Sequence, residues 1–108
     1  IRDYVEVNDL VQIHILGLKK ILKKETLPPH INIGCGHGHS VKEVLQTIET
    51  KLENKIQIEV KSRRQGDPPK LVANNQLLCQ HFPNFKFKSL GESIEVMVDL
   101  IRNHQLKF

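Results

Sequence analysis

The sequence predicts a mixed α/β fold, and three local signals carry that expectation. Ser40-Val41-Lys42-Glu43 and Ser89-Leu90-Gly91-Glu92 are capping boxes, each opening a segment with apolar residues at helical spacing. Ile56-Gln57-Ile58-Glu59-Val60 alternates apolar and polar residues strictly, which is the period of a half-buried strand. A glycine-rich stretch, Gly34-Cys35-Gly36-His37-Gly38, stands where a short strand would turn into the helix after Ser40.

The elements follow in order. Residues 2–7, Arg-Asp-Tyr-Val-Glu-Val, read as a short extended segment. A helix is expected from Asn8 as N-cap to Lys24, with Val7, Leu10, Val11, His14, Leu18, Ile21 and Leu22 on one apolar stripe. Ile13 and Leu16 lie off that stripe, so this helix is expected to touch protein on more than one side, and His14 to be packed into the core. Lys19, Lys20, Lys23 and Lys24 suit the negative pole of its dipole, and Pro28-Pro29 closes the segment. His30 to Ile33 reads as a strand, Val41 to Leu52 as a helix and Ile56 to Val60 as a strand. The charged stretch 61–72, with Gly66 and Pro68-Pro69, is a loop. A short helix from Asn75 to Gln80 and a last one striped by Ile94, Met97, Val98 and Ile101 complete the chain. Strands this few and short make a poor sheet alone, so strands and a packing surface are expected to come from elsewhere.

With 108 residues the chain is a single domain, 1–108, able to bury about two-thirds of its unfolded surface. Hydrophobic residues at 39% and charged residues at 26% exclude disordered, collagen-like and coiled-coil classes. No apolar run approaches the roughly 20 residues of a membrane span. Cys35 and Cys79 are too few for a disulfide scaffold and are expected to be reduced thiols of a cytoplasmic protein. The chain opens Ile1-Arg2-Asp3-Tyr4, with neither an initiator methionine nor a signal-peptide pattern, and is expected to be a piece of a longer protein.

The formal charge of +4 is concentrated late: residues 61–108 hold eight bases against four acids. Aromatic residues do not interleave with these bases as a nucleic-acid stacking surface requires. A small anion suits the local Arg63-Arg64 pair better, because a guanidinium can hold a phosphate bidentately. In Arg63-Arg64-Gln65-Gly66-Asp67-Pro68-Pro69, the carboxylate of Asp67 could accept from ligand hydroxyls; a solvated charged loop is the alternative. Cys35, His37 and His39 supply zinc-type donors, but no second pair completes a structural zinc motif, so no metal is expected. The glycines of 34–38 lack the dinucleotide register and no Gly-Lys-Ser/Thr occurs, leaving a structural turn.

Three segments together resemble the extended short-chain dehydrogenase/reductase family. They are Arg2-Asp3-Tyr4-Val5 with Val7, Asp9-Leu10 and His14; Asn32-Ile33-Gly34-Cys35-Gly36 with Ser40-Val41 and Glu43-Val44; and Arg63 to Pro69 with Leu71-Val72-Ala73. Glu6, Asn74 and Phe82 depart from residues common in the family, where His, Asp and Trp are frequent. The resemblance implies the C-terminal, substrate-binding part of such an enzyme, without its Rossmann N-terminal portion. It implies that Arg2 and Arg64 contact the diphosphate of a UDP-sugar from opposite sides and that Asp67 binds the ribose hydroxyls. It implies NAD, held by the absent N-terminal domain, since the Gly-rich fingerprint is missing and Tyr4 is followed at the fourth position by Asn8 rather than Lys. The expected parent reaction is epimerisation of a UDP-hexose at C4 through a 4-keto intermediate, with this part inactive alone. Alternatives are another sugar-nucleotide dehydratase, decarboxylase or epimerase of the family, or a standalone basic binding module. Neither nucleic acid nor membrane is an expected partner; a homo-oligomer is.

Overall fold

The computed structural model describes residues 1–104. Four helices form: α1 (Val7–Leu22), α2 (Val41–Leu52), α3 (Gln76–His81) and α4 (Leu90–His104). The strands expected at 2–7, 30–33 and 56–60 do not assemble into a sheet. Among the described residues β pairing is confined to two isolated bridges at Arg2, antiparallel to His39 and parallel to Leu71. The reason lies in the partners. Arg2 meets each neighbour at a single residue, and the 56–60 segment faces solvent, with Val60 90% exposed. A strand without a neighbour leaves its backbone to water, so the α/β expectation is corrected here to helices joined by extended segments.

Glu6, rather than Asn8, caps α1. Its carboxylate accepts from the backbone N–H groups of Asn8 and Asp9 at 3.0 and 3.2 Å, satisfying donors that the first turn leaves free. Glu6 and Asp9 are both buried, and Lys88 answers them: its Nζ donates to Asp9 at 2.8 Å and to Glu6 at 3.3 Å, while its N–H donates to Asp9 at 2.8 Å. The hydrogen bond to Asp9 holds the Lys88 ammonium above its ordinary pKa. This charge cluster pins the start of α1 to the segment before α4. The box at Ser40 forms in full, with Ser40 Oγ accepting from Glu43 N–H and Glu43 accepting from Ser40 N–H. At α4, Ser89 Oγ accepts from Glu92 N–H.

The core runs through Ile13, Leu78 and Phe82, with Ile31, Ile33, Phe85 and Phe87 packed against it. The face of α1 that turns inward is therefore Asp9, Ile13, Gly17 and Lys20, and Lys20 Nζ lies 5.3 Å from the Phe82 ring centroid. The expected stripe is the outward one: Val7, Val11, Leu18, Ile21 and Leu22 are all exposed. His14 is exposed too, with its Nδ1 2.7 Å from the Leu10 carbonyl, and is not a core histidine. On α4, Ile94 and Val98 are buried as the periodicity predicts, whereas Met97 and Ile101 remain open.

Accessible surface amounts to 8805 Å². A compact monomer of this mass exposes only about 6,100 Å² by the usual size scaling. Much of the excess is apolar, along α1 and between α2 and α4.

Phe82 is central to the small core, so Phe82→Ala is expected to cost about 3 kcal/mol in urea unfolding. Val60→Ala, at an exposed position, should stay within about 0.5 kcal/mol of the parent.

Candidate substrate-anchoring site

The glycine turn and the charged loop meet at residues 1–3. Arg2 donates its N–H to the His39 carbonyl at 2.9 Å and accepts from His39 N–H at 2.8 Å, while Leu71 N–H donates to the Ile1 carbonyl at 2.9 Å. The two halves of the candidate site, far apart in sequence, are thereby set side by side.

Asp3 lies at the centre of this junction. One carboxylate oxygen accepts from Cys35 N–H at 2.9 Å; the other accepts from Gly36 N–H at 3.0 Å and Ala73 N–H at 3.3 Å. The turn does cradle an anion, then, but that anion belongs to the chain itself. The Cys35 and Gly36 amides are thus already partnered within the chain.

The glycine spacing follows from what crowds each position. A Cβ at Gly34 would stand 2.4 Å from Ala73 Cβ and 2.7 Å from an Asp3 oxygen. Gly36 has φ +82°, in the left-handed region that favours glycine, and faces the Asn75 side chain. Asn75 Nδ2 donates to the Gly34 carbonyl at 3.1 Å, so this residue ties α3 to the turn rather than capping its own helix. Asn74 Oδ1 takes that role, accepting from Gln76 N–H at 3.1 Å.

All three expected substrate contacts converge. Arg2 Nη2 donates to Asp67 Oδ1 at 2.5 Å, and Arg64 Nη2 lies 3.8 Å from Asp67 Oδ2. Asp67 N–H donates to the Arg64 carbonyl at 3.3 Å, closing a tight turn in which Gly66 takes φ +76°. Arg2 and Asp67 are half-buried; the Arg64 side chain is 86% exposed and free to swing. An Asp between two guanidiniums holds them near one another, and each carboxylate oxygen keeps a lone pair for a further donor. Asp3 escaped a functional assignment from sequence although it stands between Arg2 and Tyr4. Its signal was the neighbouring glycines, which leave room for its carboxylate.

A cleft of about 500 Å³ opens beside this junction. Tyr4, Cys35, His37, His39 and Lys88 line one end, and Ile48, Ile94, Met97 and Ile101 the other. Burial and the nearby Asp3 carboxylate push the Cys35 thiol up to about 11, and its Sγ donates to the Tyr4 carbonyl at 3.4 Å. A thiol so held is a poor nucleophile and a poor metal ligand. Among the described residues no group of three or more His, Cys, Asp or Glu side chains is placed to hold a metal ion. His39 Nδ1 instead lies 3.0 Å from Glu43, whose carboxyl is lowered by that hydrogen bond.

These pKa directions set an alkylation order. At pH 8 iodoacetamide should modify exposed Cys79 first, and Cys35 should respond only as the pH approaches about 11. Mass spectrometry of the two cysteine peptides reads both rates; equal rates at pH 8 would contradict the Cys35 environment.

No protein-family model and no solved structure matches the chain. Curated proteins do. A UDP-glucose 4-epimerase of Halalkalibacterium halodurans is 38% identical over 76 residues, covering 70% of this chain and 22% of that protein. One of Azospirillum brasilense is 41% identical over 73 residues, covering 68% and 21%. One of Bos taurus is 35% identical over 99 residues, covering 92% and 26%. The chain thus spans between a fifth and about a quarter of the length of these relatives. Along most of its own length it is similar to a part of the UDP-glucose 4-epimerases.

Proposed function

We propose that the chain is the C-terminal, nucleotide-sugar-binding part of a cytoplasmic enzyme that interconverts UDP-glucose and UDP-galactose through a 4-keto intermediate. The convergence of Arg2, Arg64 and Asp67 carries this proposal. Two guanidiniums from distant segments, Arg2 bonded to the Asp67 carboxylate and Arg64 near it but exposed, match the charge pattern of a nucleoside diphosphate. The guanidiniums would flank the two phosphates, and the Asp67 carboxylate would accept from the ribose hydroxyls. This part contributes binding and orientation only, which hold the sugar where the chemistry occurs.

The redox cofactor, NAD, would fall to the remainder of the enzyme, a reading supported by the lack of a dinucleotide glycine register in 34–38 and by the Asp3 carboxylate on the Cys35 and Gly36 amides. The exposed apolar side of α1 and the surface excess fit a body that packs against that remainder. Taken alone, the chain would lack half of its cleft, and weak or absent UDP binding is expected.

In the intact enzyme Arg64→Ala should weaken UDP-sugar binding at least about tenfold, through loss of a charge-assisted phosphate contact. Asp67→Ala should cost less, and its effect should shrink for a ligand lacking the ribose hydroxyls. Titration calorimetry on the parent and both variants measures this. Equal affinities across all three would remove the loop from the binding site, and salt-steep retention on DNA with no response to UDP-sugar would favour a basic binding module instead.

A further inference from the structure

We infer that Asp3 is a positioning residue for the nucleotide diphosphate, setting the distance between Arg2 and the turn that carries Arg64 and Asp67. The inference rests on the UDP-sugar function proposed above and concerns how that site is held.

Segment 62–73 reaches the body of the molecule through few ties. Among the described residues its hydrogen bonds to distant parts all go to residues 1–3: Pro69 and Leu71 to Ile1, Asp67 to Arg2, and Ala73 to Asp3. Behind the Asp67 tie stands the backbone pairing of Arg2 with His39, and behind the Ala73 tie stands the Asp3 carboxylate. The same carboxylate also grips Cys35 and Gly36, at the base of the capped helix α2. Asp3 thus joins the exit of the charged loop to the turn that leads into α2, while its neighbour Arg2 presents the first guanidinium. Remove the grip, and Ala73 can drift from residues 34–36, carrying the preceding turn away from Arg2. Misplacement of about an ångström is enough to weaken a two-sided contact on a ligand.

Asp3→Asn keeps the side chain's size but turns an amide NH₂ toward backbone N–H groups. In the intact enzyme it should weaken UDP binding about tenfold while Arg64 is present. With Arg64→Ala already made, the same change should cost less than about threefold, because one of the two guanidiniums it aligns is gone. Unchanged UDP affinity in Asp3→Asn would overturn the inference. An equal loss in both backgrounds would also overturn it, since that marks a general structural role. Should Asp3→Asn fail to fold, Ala73→Pro deletes one donor and leaves the grip on Cys35 and Gly36; about threefold weaker binding is expected, and parental affinity would overturn the inference. The two proposals fail differently. If the parent binds no UDP, or Arg64→Ala leaves binding intact, the site itself is misassigned and the role of Asp3 falls with it. If Arg64→Ala weakens binding and Asp3→Asn does not, the site stands and only the positioning role is lost.

Discussion

A carboxylate that accepts three backbone N–H groups from two distant segments does the work a sheet would otherwise do. Asp3 sits beside Cys35, Gly36 and Ala73, and with the backbone bridges of Arg2 it gives the glycine turn and the loop exit a common point of attachment. Hydrogen bonds to a charged group contribute about 1.5–3 kcal/mol each, more than neutral ones, and here they replace the ladder that isolated bridges cannot supply. The geometry of everything nearby answers to that group. Gly34 is small so that the carboxylate fits, Gly36 is left-handed where its amide meets Asp3, and Cys35 keeps its proton because it is partly buried and a negative charge lies close.

Some of this was legible in the sequence and some was not, for physical reasons. Helix boundaries were legible where side chains cap them: Ser40 with Glu43, and Ser89 with Glu92, are local devices that need no tertiary context. The cap of α1 was misread because a glutamate serves there, two residues before the asparagine that resembles a standard cap. The strands were misread because alternation reports a preference for pairing, not the presence of a neighbour; residues 56–60 have the pattern and no partner. The apolar stripe of α1 is legible from its spacing, but the side it faces is not. Periodicity identifies a face, and only the positions of Leu78 and Phe82 decide which face is inward. Arg2, Arg64 and Asp67 were named from sequence, whereas their meeting at one carboxylate is a property of the folded chain.

Two designs of internally satisfied charge coexist within one short stretch, at the half-buried Asp3 and at the buried Glu6 and Asp9. Asp3 is satisfied by backbone dipoles, while Glu6 and Asp9 are satisfied by both backbone N–H groups and the Lys88 ammonium. The first arrangement orients loops; the second fixes the angle at which α1 leaves the junction relative to α4. An apolar residue at position 3, 6 or 9 would take a hydrogen-bond acceptor from backbone N–H groups, so the polarity of these three positions reflects attachment.

The double bridging of Arg2 has a consequence for how the chain acquires its shape. The partners of residues 1–3 lie as far as 70 positions away, near Ala73. Contacts of such separation close large loops and tend to form late, after local helices have appeared. During synthesis the stretch made first in this chain waits for its second neighbour until the charged loop has emerged. Helix α2 can coil, and its cap can close, long before that. The anion-holding corner thus closes after α2, when residues 1–3 are gripped from both sides at once, and only the Lys88 bonds to Asp9 and Glu6, at separations of 79 and 82 positions, wait longer.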